Sequence, residues 1–174
     1  ADVARDVPVI VIVAETRDRR VKVTTRVALS PGARWVRLTS EIENRAPSPL
    51  RVRFGDRLRS YGQAAFVPGV GKVEDTREVV GAWFAHAGRK QSYALVFPER
   101  PATIQVQRLA MGGSEETAFG PALELPAGAL GFHARRLVVA RGGLEAAALD
   151  ASEAQGEPFG FVAGKLEPAP RFAR

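Results

Sequence analysis

Hydrophobic and polar residues alternate along most of this chain, and the period is two. Val21, Val23, Thr25, Val27 and Leu29 stand against Lys22, Thr24 and Arg26. Residues 34–43 repeat the pattern, with Val36, Leu38 and Ile42 on one side. Leu50, Val52, Phe54, Asp56 and Leu58 then alternate with Arg51, Arg53, Arg57 and Arg59. Successive side chains of a strand point to opposite faces, so each stretch predicts a strand with one apolar and one solvated face. Val9-Ile10-Val11-Ile12-Val13 does not alternate; a continuous β-branched run predicts a strand buried on both faces. Ser30-Pro31-Gly32-Ala33 fits a type II turn. Further strands are expected over 78–86, 91–97, 103–111, 123–126 and 134–140, and the glycine-rich residues 61–71 read as a long loop. The one helical pattern, rich in alanine, runs from Leu144 to Gln155.

These elements predict an all-β fold: an antiparallel, supersandwich-like β-sandwich with one short helix near the C-terminus. Residues 1–142 read as the sandwich domain. Residues 143–174 read as a short helix and a C-terminal strand or linker, consistent with the start of a following domain. Folding the second, third and arginine strands into a meander predicts a register. Glu43 then faces Arg51 and Arg20, Glu41 faces Arg53 and Lys22, and Arg59 reaches Trp35. In this scheme the first half of the arginine stripe, Arg51 and Arg53, is neutralised by the neighbouring strand, and Arg57 is left without an acid.

Composition narrows the classes. The 174 residues suit one domain, and 45% hydrophobic residues allow a sizeable core. The net charge is +6, and only four of the 25 basic residues are lysine. Acidic residues are interspersed among them, which argues against nucleic acid as a partner. A chain without cysteine excludes disulfides, thiolate metal sites and cysteine nucleophiles. No apolar run reaches the ~18 residues of a helical membrane span. The first residue is Ala1, which fits a mature or excised piece.

Candidate chemistry is sparse. His86 and His133 are far apart in sequence and lack metal-ligand spacing, so no metal or cofactor is expected. No serine sits in a nucleophile elbow, and Gly69-Val70-Gly71 opens no helix, which excludes a dinucleotide loop. Asp56 stands out as a carboxylate on an apolar face. One reading makes it a ligand-facing acid in the sandwich groove, together with Tyr61, Trp83 and His86. The more economical reading is a bulge at Gly55 that turns Asp56 away to cap the following loop.

Several segments together carry a family resemblance. They are Val21 to Arg26, Leu29 to Gly32, Ile42-Glu43-Asn44, Phe54-Gly55-Asp56, Tyr61-Gly62, Phe66 to Gly71 and Ser92-Tyr93. The series resembles the β-rich N-terminal region of large secreted bacterial proteins that end in a PHP-type metallohydrolase domain, a region similar to the galactose-mutarotase-like supersandwich. The resemblance implies a periplasmic or secreted protein with carbohydrate, or other domains of a longer chain, as partners. Mutarotase catalysis uses a histidine acid and a glutamate base. His86 matches only by analogy and no glutamate can be assigned, so no catalytic residue is carried over. The expected function is a non-catalytic module with a structural or recognition role. The alternatives are a carbohydrate-binding or sugar-modifying domain and, third, a polyanion-binding module using the arginine stripe.

Overall fold

A computed structural model describes residues 7–60, 65–87, 90–99, 101–109 and 114–156. In chain order the strands are β1 (Val9–Glu15), β2 (Val21–Ala28), β3 (Trp35–Asn44), β4 (Leu50–Val52), β5 (Gly55–Ser60), β6 (Ala65–Val67) and β7 (Gly71–Val73). There follow β8 (Arg77–Gly81), β9 (Trp83–Ala87), β10 (Gln91–Val96), β11 (Ala102–Arg108), β12 (Ser114–Phe119), β13 (Leu123–Leu125) and β14 (Leu130–Arg141), and then the helix α1 (Leu144–Gln155). An eight-stranded sheet runs β1-β2-β3-β14-β10-β9-β6-β7, a four-stranded sheet runs β5-β12-β11-β8, and β13-β4 forms a two-stranded ribbon. All paired strands are antiparallel. The fold is the expected β-sandwich with one helix.

The β2–β3 hairpin closes with the expected turn. Ala33 N–H donates to the Ser30 carbonyl at 3.0 Å, and Gly32 takes the required positive φ of 77°. The ladder then starts at Ala28 opposite Arg37, two residues out from the expected register, and Lys22 faces Glu43. A two-residue slip keeps every side chain on its face.

The meander beyond β3 is corrected. β3 pairs with β14, not with the arginine stretch. At its end Asn44 is fully buried, and its amide donates to the carbonyls of Ser48, Leu125 and Pro126 at 3.0, 2.8 and 3.0 Å. This hub takes the chain out of the large sheet and onto the ribbon. Glu43 pairs with Arg45 at 3.1 Å, and Arg136, not Arg59, lies over Trp35 at 5.6 Å.

Two stretches expected as single strands are each two strands that change sheet. The arginine stretch divides into β4 and β5, and residues 77–87 divide into β8 and β9. A glycine stands at each crossing. A Cβ on Gly55 would lie 2.7 Å from the Phe119 ring and 2.9 Å from the Ala118 carbonyl, and one on Gly81 would lie 2.7 Å from Val67. Gly55 is required by its own cross-strand neighbours in β12, and Gly81 by the approach of β6 from the large sheet. Part of the expected loop over 61–71 is the β6–β7 hairpin; its first four residues lie outside the described ones.

The large sheet is covered on both sides. On one face Phe84, Leu95 and Phe97 meet Ile104, Val106 and Ala118 of the four-stranded sheet. On the other, α1 lays Ala147, Ala151 and Ala154 on Trp83, Ala85, Ala94, Val138 and Ala140. Arg34 reaches α1 through Asp150 and Glu153, at 3.2 and 3.3 Å. The helix ends at Gly156 with φ 84°, a left-handed cap. β1 departs from expectation. It is the outer strand, and Val9 to Val13 are 49–65% exposed, because among the described residues nothing packs over either face of that edge.

Candidate functional site

The arginine stretch keeps its parity across the crossing at residues 53–54. Arg51, Arg53, Arg57 and Arg59 are exposed, while Val52, Phe54, Asp56 and Leu58 turn inward. Asp56 thus stays on the apolar face, and the bulge that would have turned it away is not there: β5 and β12 pair without interruption from Gly55 opposite Phe119 to Ser60 opposite Ser114.

Asp56 is held by Arg135 of β14, in the facing sheet. Arg135 Nη2 donates to Oδ1 at 2.8 Å, and Nε lies 2.7 Å from Oδ2 in an ionic contact without good hydrogen-bond alignment. Arg135 Nη1 donates to Ser40 Oγ at 2.8 Å and to the His133 carbonyl at 3.0 Å. Ser40 shares a hydrogen bond with Thr25 at 2.7 Å, and the guanidinium lies over the Phe54 ring at 5.1 Å. The guanidinium is 3% exposed and the carboxylate 21%. A cation buried so deeply needs a paired anion, and Asp56 supplies it.

His133 sits beside this pair. Its ring stands edge-on to Phe54 at 5.4 Å and stacks on Phe97 at 6.3 Å, with Nε2 at 3.9 Å from Asp56 Oδ2 and without a hydrogen-bond partner among the described residues. Burial, with the Arg135 charge adding to it and Asp56 opposing, lowers its pKa from 6.5 to about 4. The imidazole is therefore neutral at pH 7. Gly120 makes room for it, since a Cβ there would lie 2.6 Å from Cε1. A cleft of about 200 Å³ opens against this ring, lined also by Phe54, Phe132, Leu123, Pro121 and the exposed Glu99.

A second pair lies deeper. His86 Nε2 of β9 and Glu116 Oε2 of β12 are 2.6 Å apart, with side chains 1% and 0% exposed. Tyr93 and Phe84 pack against the imidazole at 5.3 and 6.1 Å. Among the described residues, His86 Nδ1 and Glu116 Oε1 have no hydrogen-bond partner. No cleft described reaches either group.

The expected site residues are therefore placed apart. Asp56 and His86 both point between the sheets but serve different partners. Trp83 is on the opposite face of the large sheet, under α1 and 5.8 Å from the Phe66 ring. Tyr61 lies outside the described residues. Sequence reasoning passed over Arg135, Glu116 and His133 as partners. The available signal was polarity at inward positions of strands: Ser114, Glu116 and Ala118 alternate as buried residues in β12. Among the described residues no group of three potential ligands could hold a metal ion.

The arginine stripe is not free of acids. Arg51 pairs with Glu124 at 3.2 Å, and Arg57 and Arg59 share Glu115 at 3.6 and 2.6 Å. Arg53 lies over Phe119 at 5.0 Å. The polyanion reading required a patch without nearby carboxylates, and that premise fails.

No protein-family model and no curated protein matches the sequence. Solved structures match in shape. The GH36 α-galactosidase AgaA from Geobacillus stearothermophilus, in complex with raffinose, gives a TM-score of 0.56 at 12% identity, over 82% of this chain and 25% of its own. A Klebsiella pneumoniae protein assigned as an aldose 1-epimerase gives 0.54 at 10%, over 83% of this chain and 53% of its own. A TPR-domain containing protein from Parabacteroides distasonis gives 0.53 at 11%, over 94% and 38%. At these identities the likeness is one of fold alone, a β-sandwich. The chain spans a quarter of the α-galactosidase and about half of the epimerase.

Proposed function

We propose that this chain is a non-catalytic, carbohydrate-associated β-sandwich module of a larger protein, with a structural or recognition role. The observation that carries it is the engagement of the interior acids and bases. Asp56 is taken by Arg135 from the facing sheet, and His86 is closed in with Glu116. A carboxylate committed to Arg135, and a His86–Glu116 pair that no described cleft reaches, do not make an acid–base pair for catalysis. The carbohydrate association is supported by two of the fold neighbours, an α-galactosidase and a protein assigned as an aldose 1-epimerase. The setting in a PHP-type, periplasmic or secreted bacterial protein rests on the sequence resemblance alone, and fractionation of the native host tests it. The functional test is anomer interconversion of glucose and galactose, and raffinose hydrolysis, with the purified chain. The expected rates are those of the blank. Acceleration that is lost in Glu99→Gln would replace this reading with a sugar-modifying one.

A second reading, saccharide binding without turnover, is favoured by the cleft at His133. Phe132 is 59% exposed beside it, Glu99 supplies an acceptor and the imidazole is neutral. An apolar ring face with a few polar groups suits a sugar. Titration with mono- and oligosaccharides, followed by Phe132→Ala, tests it. Binding that Phe132→Ala leaves unchanged removes the cleft as its site.

A further inference from the structure

β1 is hydrogen-bonded to β2 along one side only and ends the eight-stranded sheet on the other. Its side chains are exposed on both faces: Val9, Val11 and Val13 at 49, 54 and 57%, and Ile10 and Ile12 at 65 and 53%. Outer strands are normally guarded by charge, proline, a bulge or short length. Residues 9–14 contain no charge and no proline, and the seven-residue strand pairs with β2 without interruption. Such an edge is a template for another strand.

We infer that β1 pairs antiparallel with β1 of a second copy of this chain, about a two-fold axis at Val11. Val-Ile-Val-Ile-Val reads the same in both directions. The two-fold places Val11 opposite Val11, Ile10 opposite Ile12 and Val9 opposite Val13 of the second copy. An isologous contact must be self-complementary, and a palindromic strand satisfies that with the same aliphatic pairs on each side of the axis. β-branched cross-strand pairs add ~0.2–1 kcal/mol each. No charge on residues 9–14 meets its like across the axis. Arg26, beside Val11 in β2, stays three strand spacings from its symmetry mate, about 14 Å, beyond the ~8 Å screening length at physiological salt. Pairing the five residues Val9–Val13 of the two copies buries a few hundred Å² per copy, short of the ~800 Å² of a standard stable interface. The dimer is therefore weak and concentration-dependent, with a dissociation constant on the order of 10–100 µM. Coverage of this edge by another segment of the same polypeptide, or by a different protein, is the competing outcome.

Analytical ultracentrifugation of the 174-residue chain from about 5 to 300 µM, a range set to straddle that constant, is expected to show monomer passing to dimer and no larger species. Val11→Lys, which sets two ammonium groups face to face, weakens the dimer at least ~10-fold. Its melting temperature stays near that of the unsubstituted chain, because position 11 is half exposed. With no native cysteine, Val11→Cys reports the register: opposed Cα atoms of antiparallel strands are about 4.5–5.5 Å apart, within disulfide reach. Val11→Cys should oxidise to a covalent dimer and Val9→Cys should not. A monomer at every concentration, an open-ended polymer, a dimer indifferent to Val11→Lys, or equal cross-linking at positions 9 and 11 would each overturn the inference.

Discussion

On one face of the eight-stranded sheet, α1 sets three alanines onto small aliphatic residues and Trp83. On the other face, the four-stranded sheet meets it through larger apolar residues and two polar bridges, the Asp56–Arg135 ion pair and the Glu116–His86 hydrogen bond. The difference concerns how position is specified. A helix docked through alanines at every third or fourth residue is fixed by its own periodicity and by the length of its connection to β14. Two sheets facing each other through apolar side chains tolerate small sliding and rotation. A buried charge that misses its partner costs several kcal/mol. The two bridges therefore make one alignment of the sheets much better than its neighbours.

The largest expected effects break the bridges. Asp56→Ala leaves the Arg135 guanidinium, 3% exposed, without an anion, and should lower stability by about 3–5 kcal/mol in urea unfolding. Glu116→Ala should cost a similar amount, and Glu116→Gln less, since an amide still reaches His86. A pH effect at the same interface is next. His133 resists protonation when folded, with a pKa of about 4 against an ordinary 6.5. The unfolded chain therefore binds more protons between those values. The stability from a neutral His133 is complete above pH 6.5 and is lost as pH falls to 4, by up to ~3 kcal/mol. His133→Gln should flatten that part of the pH–stability curve. On the helix side, Ala151→Leu overpacks the alanine layer and should cost about 1–3 kcal/mol, with no change in pH dependence. The smallest effect belongs to the outside of β4: Arg51→Ala, removing a pair 74% exposed on both partners, should stay within about 0.5 kcal/mol.

The same contrast explains what the sequence revealed. Leu144 to Gln155 was legible to the residue because a helix is written in local composition and ends at a glycine. The type II turn at Pro31-Gly32 and the inward parity of Asp56 and Leu58 were legible for the same reason. The partners of the arginine stretch were not. Sequential strands usually pair, so β3 was given Arg51 and Arg53 as neighbours, whereas the buried Asn44 hub moves the chain to another layer. β12 went unread because Ser114, Glu115, Glu116 and Thr117 lack an apolar face. Its buried glutamate makes sense only once His86 is placed opposite it. β1 shows the reverse failure. An aliphatic run reads as interior, but burial is decided by what lies alongside, and nothing in the run marks it as an edge. For the candidate site, Asp56 was found and its partner Arg135, 79 residues away, was not. Periodicity reports which face a residue occupies and carries no information on what faces it.

Asp56 and Arg135 act as a tie between the sheets, and a double-mutant cycle measures that directly. Asp56→Leu, Arg135→Met and the double variant are compared with the unsubstituted chain in urea unfolding. The expected coupling energy is about 2–3 kcal/mol, with the double variant recovering most of the stability lost in either single one. Coupling below about 0.5 kcal/mol, the level of independent sites, would contradict it.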